Sequence, residues 1–480
     1  MTMAKDRTIN MTTGKPMKLI LTFAVPVIFN TLLGHLYGMM DTVVVGQFIG
    51  AGALAAVGLT GSITYFVSSI YWGFMNGFRI MIAQHFGSGD RSKMRRAICV
   101  SAYLCAILAV VIVTLGLIGT YPLLRLMHTP EGAVIDMAAH YLMIIFLGVP
   151  FIIASGFAAT VMMAMGDAKS SLYAHMISGA VNIGLDFLLV GVFHFGVEAT
   201  AVTTVLADAA WLVYCLLVLR KRYRKEYLTY ESGEKRFDGK LAGSLLRLGV
   251  PIAVQGSVSA LGVMIMQGKI NSLGPIGMAA YTAGSKIDTL LHQPAQMISS
   301  GLGVFAAQNF GAKQIGRIRD ACRKSMVWAV GLASGCAAIA FFLGGSLVRI
   351  FLDASAAGEI HEAAAYLRTI ALFLLPLGAA GVFRVCIEGM GDTTTPTIAN
   401  FVELAVQLLL MFTVFGNMGL RGIVLSGATV WLLDLLFMAP LYWRRMRKVE
   451  QGLIHAPERE VLTKQAEEDE AASRIEEANE

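Results

Sequence analysis

The chain has 480 residues, of which 56% are hydrophobic and only 15% are charged. A soluble globular domain carries roughly a quarter charged residues, so this composition excludes a soluble protein and indicates an all-α polytopic membrane protein. The formal net charge is +6 at pH 7, and the basic residues cluster in short segments between apolar ones.

Apolar segments of membrane-spanning length recur along the chain and predict twelve helices. A polar segment, 1–18, leads directly into a full-length span, so we do not expect a cleaved signal peptide. An N-lobe, 19–219, is predicted to hold spans 19–46, 52–85, 97–120, 137–165, 172–192 and 196–219. A linker, 220–242, precedes a C-lobe, 243–443, with spans 243–272, 276–309, 325–352, 361–390, 397–415 and 419–443, and an acidic tail, 444–480, follows.

The basic segments predict the orientation of the chain. If the spans alternate in direction, most of the Lys and Arg residues between them fall on one side, and by the positive-inside rule both termini are cytoplasmic. The segments that carry this bias begin at Arg91, Arg220, Lys313 and Arg444.

The first predicted span carries an acid that needs an explanation. One face of this helix, with spacings of four, three and four residues, holds Asn30, Gly34, Tyr37 and Asp41. A carboxylate in a membrane helix is tolerated where it faces protein or water, so we expect this face to point into a cavity. Pro26 breaks the backbone hydrogen-bond ladder of the same helix and is predicted to be a hinge.

Two later spans repeat the same spacing. The fifth span holds His175, Gly179, Asn182 and Asp186 on one face, and the sixth holds Thr200, Thr204, Asp208 and Trp211. Three polar faces in one half of the protein can build a small hydrated pocket. Burial and a neighbouring carboxylate both favour the protonated form of a carboxyl group, so the pocket can exchange protons. Alternatively, Asp41, Asn182 and Asp186 can hold Na⁺, and the sequence leaves both ions open.

The second half offers less ion chemistry. Its first span has Gln255 and Ser259 where a matching face should run, and no acid. Glu403 and Gln407 are one turn apart, and structural hydrogen bonding is the expected role. Coupling chemistry is therefore predicted in the first lobe, and the residues expected to line the substrate cavity are Tyr37, Asn30, His175, Asp208, Gln255 and Ser259.

Signatures of other protein classes are missing from the sequence. Six cysteines lack paired spacing, which argues against a disulfide framework or a metal site. There is no G-K-[ST] phosphate loop, and His361-Glu362 lacks the second histidine of a zinc protease helix. We therefore expect no enzyme activity, no cofactor and no nucleic-acid partner, and transport driven by an ion gradient.

The two halves resemble each other at a constant offset of 225 or 224 residues. The matching pairs are Phe23-Ala-Val-Pro26 with Leu248-Gly-Val-Pro251, Gln84-His-Phe-Gly87 with Gln308-Asn-Phe-Gly311, and Met165-Gly-Asp167 with Met390-Gly-Asp392. Six spans per repeat return the chain to the same side, so the copies are related by an axis along the membrane normal. Such an axis leaves a cleft between two lobes.

Together these motifs, with Asp41-Thr42 followed by Gly46, resemble the multidrug and toxic compound extrusion (MATE) family over about residues 15–445. The resemblance implies two six-helix lobes around a central cavity that opens alternately to each side. It also implies export of organic cations or amphipathic drugs in exchange for H⁺ or Na⁺. The DinF-like branch is the most similar, and its first-lobe ion site corresponds here to Asp41, Asn182, Asp186 and Thr204. Other branches place second-lobe acids where this chain has Gln255, Ser259, Leu377 and Gly378, so a cation site of that type is not expected.

We therefore predict a monomeric antiporter of the cytoplasmic (inner) membrane that acts on small drug-like molecules. The alternative in the same superfamily is a flippase for lipid-linked sugars or polysaccharides, whose anionic cargo would need a more basic cavity. A channel would lack strict coupling to a counter-ion. A sensor or enzyme would need an extramembrane domain or a catalytic constellation.

Overall fold

A computed structural model describes residues 8–126, 132–229, 237–352 and 356–454. Within these ranges the regular secondary structure is helical. A lipid environment favours this, because each backbone N–H and C=O in the membrane must be bonded within its own segment. The predicted N-terminal segment is described from Thr8, and the acidic tail beyond Ile454 lies outside the described residues.

The helices follow one another in two groups of six. In the first half they are α1 (Pro16–Val44), α2 (Ala51–Ser88), α3 (Arg91–Leu126), α4 (Ala133–Ala164), α5 (Ala168–Asp186) and α6 (Val197–Val218). In the second half they are α7 (Gly239–Asn271), α8 (Gly274–Gly311), α9 (Ile315–Ala338), α10 (Ala357–Ala371 with Leu374–Gly389), α11 (Thr394–Phe412) and α12 (Gly419–Glu450). Wider π-helical turns extend α1, α5, α6 and α9 at Val45–Ile49, Phe187–Val192, Leu219–Leu228 and Ile339–Leu343, and a short helix, Gly344–Val348, completes α9.

The number of spans agrees with the sequence prediction. Among the described residues, nine helices are long and apolar enough to cross a membrane, and the two arms of α10, bent by 47°, form a tenth span. The long helices α2 and α8, each of 38 residues, supply the remaining two spans.

Several helices are longer than the apolar segments that predict them. α3 begins at Arg91 instead of residue 97, and α9 begins at Ile315 instead of residue 325. The extra turns are polar; in α9 they carry Arg317, whose guanidinium donates to the carbonyl of Met11 at 3.1 Å. Hydropathy detects only the part of a helix that lies in lipid, so the polar turns beyond it escape prediction.

Much of the outer surface is apolar. Leu115 and Ile118 of α3 are 65% and 73% exposed, and Phe342 in the extension of α9 is 78% exposed. Exposed apolar side chains in such numbers would aggregate in water but are soluble in hydrocarbon. These faces therefore mark the lipid contact of the two lobes.

The repeated Met-Gly-Asp motifs turn the chain between successive helices. Gly166 and Gly391 have positive φ angles of 85° and 84°, which a side chain would strain. The following acids cap the next helix: Asp167 accepts from the Ser170 N–H at 2.9 Å, and Asp392 accepts from the Thr395 N–H at 3.0 Å. The motif recurs because each lobe makes the same turn.

The repeated Gln-x-x-Gly motifs meet each other between the lobes. The Gln84 side chain donates to the carbonyl of Gly389 at 2.9 Å, and the Gln308 side chain donates to the carbonyl of Ala164 at 2.9 Å. Ala164 and Gly389 are themselves equivalent at the repeat offset. Reciprocal contacts of this kind arise when a two-fold axis passes between two similar units.

The same motifs bring the two backbones into direct contact. A Cβ atom at Gly87 would lie 1.9 Å from the carbonyl oxygen of Gln308, and one at Gly311 would lie 1.8 Å from that of Gln84. The described parts of both termini lie at this end, since the Met11 N–H donates to Gln308 Oε1 at 2.9 Å and Ile454 lines a cavity beside Gln84. We call this end the terminal face, and the lobes are closed there.

Candidate functional site

The acids of α1 and α5 lie together in the first lobe, toward the end of each helix that is far from the terminal face. The Asp41 carboxyl lies close enough to the Asp186 carboxyl and the Asn182 amide to interact with both. Asp186 and Asn182 are almost fully buried, at 1% and 2% exposure. The structure therefore brings together the three residues that the helical spacing placed on two separate faces, and we call them the acid cluster.

Two carboxyl groups in contact need a proton or a cation. Carboxylates have only acceptor atoms, so they approach closely when one is protonated or when a cation offsets their charge. Among the described side chains, Asp41 Oδ1, Asp186 Oδ2 and Asn182 Oδ1 are buried without a hydrogen-bond donor. The oxygen atoms of the cluster can therefore bind a small monovalent cation. A single proton on one carboxyl would equally remove the repulsion between the two.

Among the described residues, the acid cluster is not accompanied by a metal site with three or more protein ligands. Within the described residues, no group of three or more His, Cys, Asp or Glu side chains has the arrangement of a metal site. The described cysteines are all free thiols. The acid cluster has two carboxyls and one amide, which is the hard-oxygen chemistry of H⁺ or Na⁺.

On α6, Thr203 contacts the acid cluster. Its hydroxyl donates to Asp186 Oδ1, whereas the Thr204 hydroxyl donates to the Thr200 carbonyl of its own helix at 2.9 Å. Successive residues on a helix point about 100° apart, so a spacing pattern identifies a face to within one residue. The sequence interpretation selected the neighbouring hydroxyl, and a part for Thr204 in ion binding stays a prediction.

Aromatic rings from four helices, α1, α2, α5 and α6, pack together beside the acid cluster. His175 contacts Tyr37 with ring centroids 5.4 Å apart and Trp211 edge-on at 4.7 Å, and Trp72 of α2 lies 6.4 Å from Trp211. Gly34 permits this packing, because a Cβ atom there would lie 3.3 Å from His175 Nε2. The glycine of the α1 face is therefore needed for close contact with α5.

Asp208 joins the aromatic group from α6. Its carboxylate acts electrostatically on the hydroxyls of Tyr37 and Tyr71, and the Tyr71 hydroxyl is 2.9 Å from that of Ser68. Asn30 is half-buried on α1, and its Oδ1 has no donor among the described side chains. The first lobe thus combines aromatic rings with a further acid, and sequence spacing had indicated neither Tyr71 nor Trp72.

Two polar residues of the second lobe, Ser259 and Asp288, have partners within that lobe. Gln255 is half-buried on α7, and Ser259 accepts from the Asn400 side chain of α11 at 3.4 Å. Asp288 of α8 accepts from the Tyr366 hydroxyl at 2.9 Å. These contacts account for the side chains by helix packing in the second lobe.

A group of buried charges in the second lobe escaped the sequence analysis. Arg384 of α10 donates to Glu403 of α11 at 2.8 Å and to Asp434 of α12 at 2.5 Å. The expected structural role of Glu403 is consistent with this ion pair. The sequence did contain an indication of this group, because Arg384 and Glu388 lie four residues apart on one face of a predicted span.

Pro26 lies inside α1, which continues through it. A proline leaves the carbonyl four residues earlier without its helical donor. In the second lobe, where Pro251 is the equivalent residue, the Thr393 hydroxyl donates to the freed carbonyl of Arg247 at 3.4 Å. The first lobe has Ala168 at the position equivalent to Thr393, and alanine offers no such donor.

Known proteins share this architecture. The probable multidrug resistance protein YoeA of Bacillus subtilis (strain 168) is 28% identical over 405 residues, covering 81% of this chain and 85% of that protein. The multidrug export protein MepA of Staphylococcus aureus (strain NCTC 8325 / PS 47) is 21% identical over 415 residues, covering 85% and 89%. A crystal structure of MATE in the bent conformation superposes with a TM-score of 0.85 at 19% identity, covering 92% of this chain and 98% of that one, a likeness of fold.

The family comparison repeats the internal symmetry. The family model described as MatE matches residues 26–188 and again residues 251–413. The two matches are separated by the offset at which the proline, glutamine and Gly-Asp motifs recur. They include Asp41 and Asp186 of the first lobe and Arg384 and Glu403 of the second. Because these matches cover more than half of the sequence, the chain belongs to the MatE family.

Proposed function

We propose that the chain is a secondary active transporter, of the DinF-like type, that exports organic cations or amphipathic compounds in exchange for H⁺ or Na⁺. The observation that carries this proposal is the approach of the carboxyl groups of Asp41 and Asp186, each with a buried oxygen that has no hydrogen-bond partner among the described residues. Because that approach needs a proton or a cation, binding and release of the ion change the forces between α1 and α5. The names of the relatives, multidrug resistance and multidrug export proteins, agree with this function.

A mechanism follows from the course of α1. Its far end carries Asp41, and its near end packs against the second lobe, where a Cβ atom at Gly301 of α8 would lie 2.7 Å from the Ile20 carbonyl oxygen. An ion at Asp41 and Asp186 removes the repulsion between the carboxylates and draws α1 toward α5. The movement reaches the contact between lobes along a single helix, so ion binding and lobe closure are coupled.

The aromatic group of the first lobe suits a cationic amphipathic substrate. The faces of Tyr37, Trp72 and Trp211 attract organic cations, and Asp208 supplies a negative charge beside them. A lipid-linked sugar carries phosphate and would require basic side chains in their place. This polarity favours the exporter over the flippase, and we propose that the protein needs no cofactor and performs no enzymatic step.

We further propose that the terminal face is cytoplasmic and that the protein works as a monomer in the cytoplasmic membrane. Arg91, Arg317 and Arg447 lie in the first or last turns of α3, α9 and α12 at this face. A concentration of arginine on one side of a bundle favours the cytoplasmic orientation of that side. The lobes closed at the terminal face then correspond to an outward-facing transporter.

The experiment that tests the function measures a fluorescent lipophilic cation in vesicles reconstituted with the purified chain. An H⁺ gradient and a Na⁺ gradient are imposed separately, and we expect one of them to drive transport of the dye. A protonophore or a Na⁺ ionophore should abolish the transport driven by the corresponding ion. If neither gradient moves the dye, the substrate class is wrong, and translocation of a lipid-linked sugar in the same vesicles tests the flippase.

Pro26 is proposed as the hinge of α1. We expect Pro26→Ala to fold normally and to lose most of its gradient-driven efflux, because alanine supplies the missing N–H and stiffens the helix. Pro251→Ala is the matched control, since the Thr393 hydroxyl already satisfies the carbonyl that Pro251 frees. Efflux rates of the two variants in the vesicle assay measure the difference. Equal rates for both variants and the wild type would show that α1 does not bend at Pro26.

A further inference from the structure

The buried charges of the second lobe extend across the interface between the lobes. Arg384 binds Glu403 and Asp434 within the second lobe. Glu388, one turn after Arg384 on α10, interacts electrostatically with it and also with Arg79 of α2, in the first lobe. We call these five side chains the interface cluster.

The interface cluster has an excess of acid. It contains three carboxylates and two guanidinium groups, so its net charge is −1 when every member is ionised. The charged groups that act on Glu388 are Arg384, Arg79, Asp434 and Asp392. Asp392 has its own cation in Arg445, at 3.5 Å, and the two cancel. An unbalanced charge among packed helices costs several kcal/mol, and one proton removes the imbalance.

The packing of the fold does not require these charges. The first-lobe residues equivalent to Glu388, Arg384 and Glu403 are Met163, Ala159 and Ser178. The two lobes share their helix arrangement and their turn motifs, yet one lobe builds this region from uncharged side chains. The helix packing that the two lobes share therefore does not depend on the interface cluster. Because burial of these charges is unfavourable, we infer that they have a separate function.

A cavity connects the two members that face each other across the interface. It has a volume of about 140 Å³, room for a few water molecules. Apolar side chains such as Ile80 and Val385 line much of it, and its polar lining is Arg79 and Asn76 of α2, Ser299 and Ser300 of α8, and Glu388. Glu388 is also adjacent to Gly389, whose carbonyl accepts the inter-lobe hydrogen bond of Gln84. Separation of the lobes at the terminal face would therefore carry Arg79 away from Glu388.

We propose that Glu388 is a second proton-binding site of this protein, and that its protonation favours separation of the lobes at the terminal face. The inference rests on the proposed transport function, which supplies the two lobe arrangements. When the lobes separate, Arg384 alone remains against three carboxylates, and the second-lobe part of the cluster has a charge of −2. A proton on Glu388 reduces that charge, so the proton binds more tightly in the separated state and stabilises it by linkage.

The test measures lobe separation directly as a function of pH. Spin labels attached through unnatural amino acids at Lys169 and Thr394, two equivalent and exposed positions of the terminal face, report the distance between lobes in lipid nanodiscs. The background is Asp41→Asn, which removes one carboxylate of the acid cluster from the titration. We expect the separated fraction to rise as the pH falls, and we expect Glu388→Gln to abolish this pH dependence and to favour separation at every pH.

Two further variants make the test decisive. Arg79→Gln should also abolish the pH dependence. Without the Arg79 guanidinium, separation of the lobes no longer moves a positive charge away from Glu388, so the proton affinity of Glu388 is the same in both lobe arrangements. Asp320→Asn is the control, because Asp320 is an acid paired with Lys324 on its own helix at 2.8 Å. The separated fraction of this variant should depend on pH as it does in the Asp41→Asn background. Unfolding temperatures verify that each variant is folded.

The outcomes separate this inference from the proposed function. If Glu388→Gln and Arg79→Gln both keep the pH dependence of the background, Glu388 is not a proton site and the inference is overturned. The distance measurement needs no substrate and no gradient. If the vesicles fail to transport the dye while the pH dependence requires Glu388, the proton site stands and the exporter is rejected.

Discussion

An Asp41→Asn variant is expected to fold, to reach the membrane and to lose gradient-driven export to the level of vesicles without protein. The Asp41 carboxyl contacts the Asp186 carboxyl and the Asn182 amide. Asparagine keeps the size of the side chain and can donate to Asp186, so the packing of α1 against α5 survives. It carries no titratable proton and removes one of two charges that hold a cation, so the coupling ion has no site. The vesicle assay with the driving gradient measures the loss.

The matched control for this variant is Asp136→Asn. Asp136 is an exposed acid in the first turn of α4, toward the same end of the molecule as Asp41, and it accepts a hydrogen bond from Tyr121. We expect its export rate to equal that of the wild type. An Asp41→Asn protein that exports at the wild-type rate would show that Asp41 is a structural residue and that the ion binds elsewhere.

A second large effect is expected at the contact between the lobes. Gly87→Ala and Gly311→Ala should each abolish transport and shift the lobes toward separation at the terminal face. The added Cβ atoms would lie 1.9 Å and 1.8 Å from carbonyl oxygens of the opposite lobe, and a backbone cannot yield as a flexible side chain does. Overpacking of about 3 kcal/mol would shift the balance between the two arrangements by roughly a hundredfold.

The distance between labels at Lys169 and Thr394 measures this shift, and the efflux assay measures its consequence. Gly58→Ala and Gly61→Ala, on α2 with Gly87, are the controls, because a Cβ atom at either position has nothing within 4 Å. We expect these controls to transport like the wild type and to keep its distances. Unchanged distances in Gly87→Ala and Gly311→Ala would mean that the close contact is not required for closure.

The sequence indicated the spans and the first-lobe acids because both depend on local periodicity. The length of an apolar segment indicates the length of a membrane helix, and an acidic residue is easily identified within such a segment. The faces of α1 and α5 were each visible by spacing, and mutual contact was the simplest reason for two such faces in one lobe. Residue spacing could not decide whether Thr203 or Thr204 bonds to the acid cluster, because this depends on the rotation of α6 about its axis by a fraction of a turn.

Contacts between distant parts of the chain could not be predicted in the same way. Arg79 and Glu388 are separated by more than 300 residues, and only the packing of α2 against the second lobe makes them neighbours. The bend of α10 was also not predicted, although Pro376, in the first turn of the second arm, leaves the carbonyl of Leu372 at the break without its helical donor. The motif pairs predicted two similar lobes, but their spacing did not reveal that the motifs contact each other.

The reciprocal bonds of Gln84 and Gln308 have an evolutionary consequence. Each half of the chain supplies one donor, one carbonyl acceptor and one glycine, so these contacts need nothing that belongs to a single half. A half-length ancestor could have closed on a second copy of itself through the same bonds, as a symmetric homodimer does. Gene fusion then freed the copies to diverge, and the acid cluster in one half and Arg384 with its carboxylates in the other are products of that divergence.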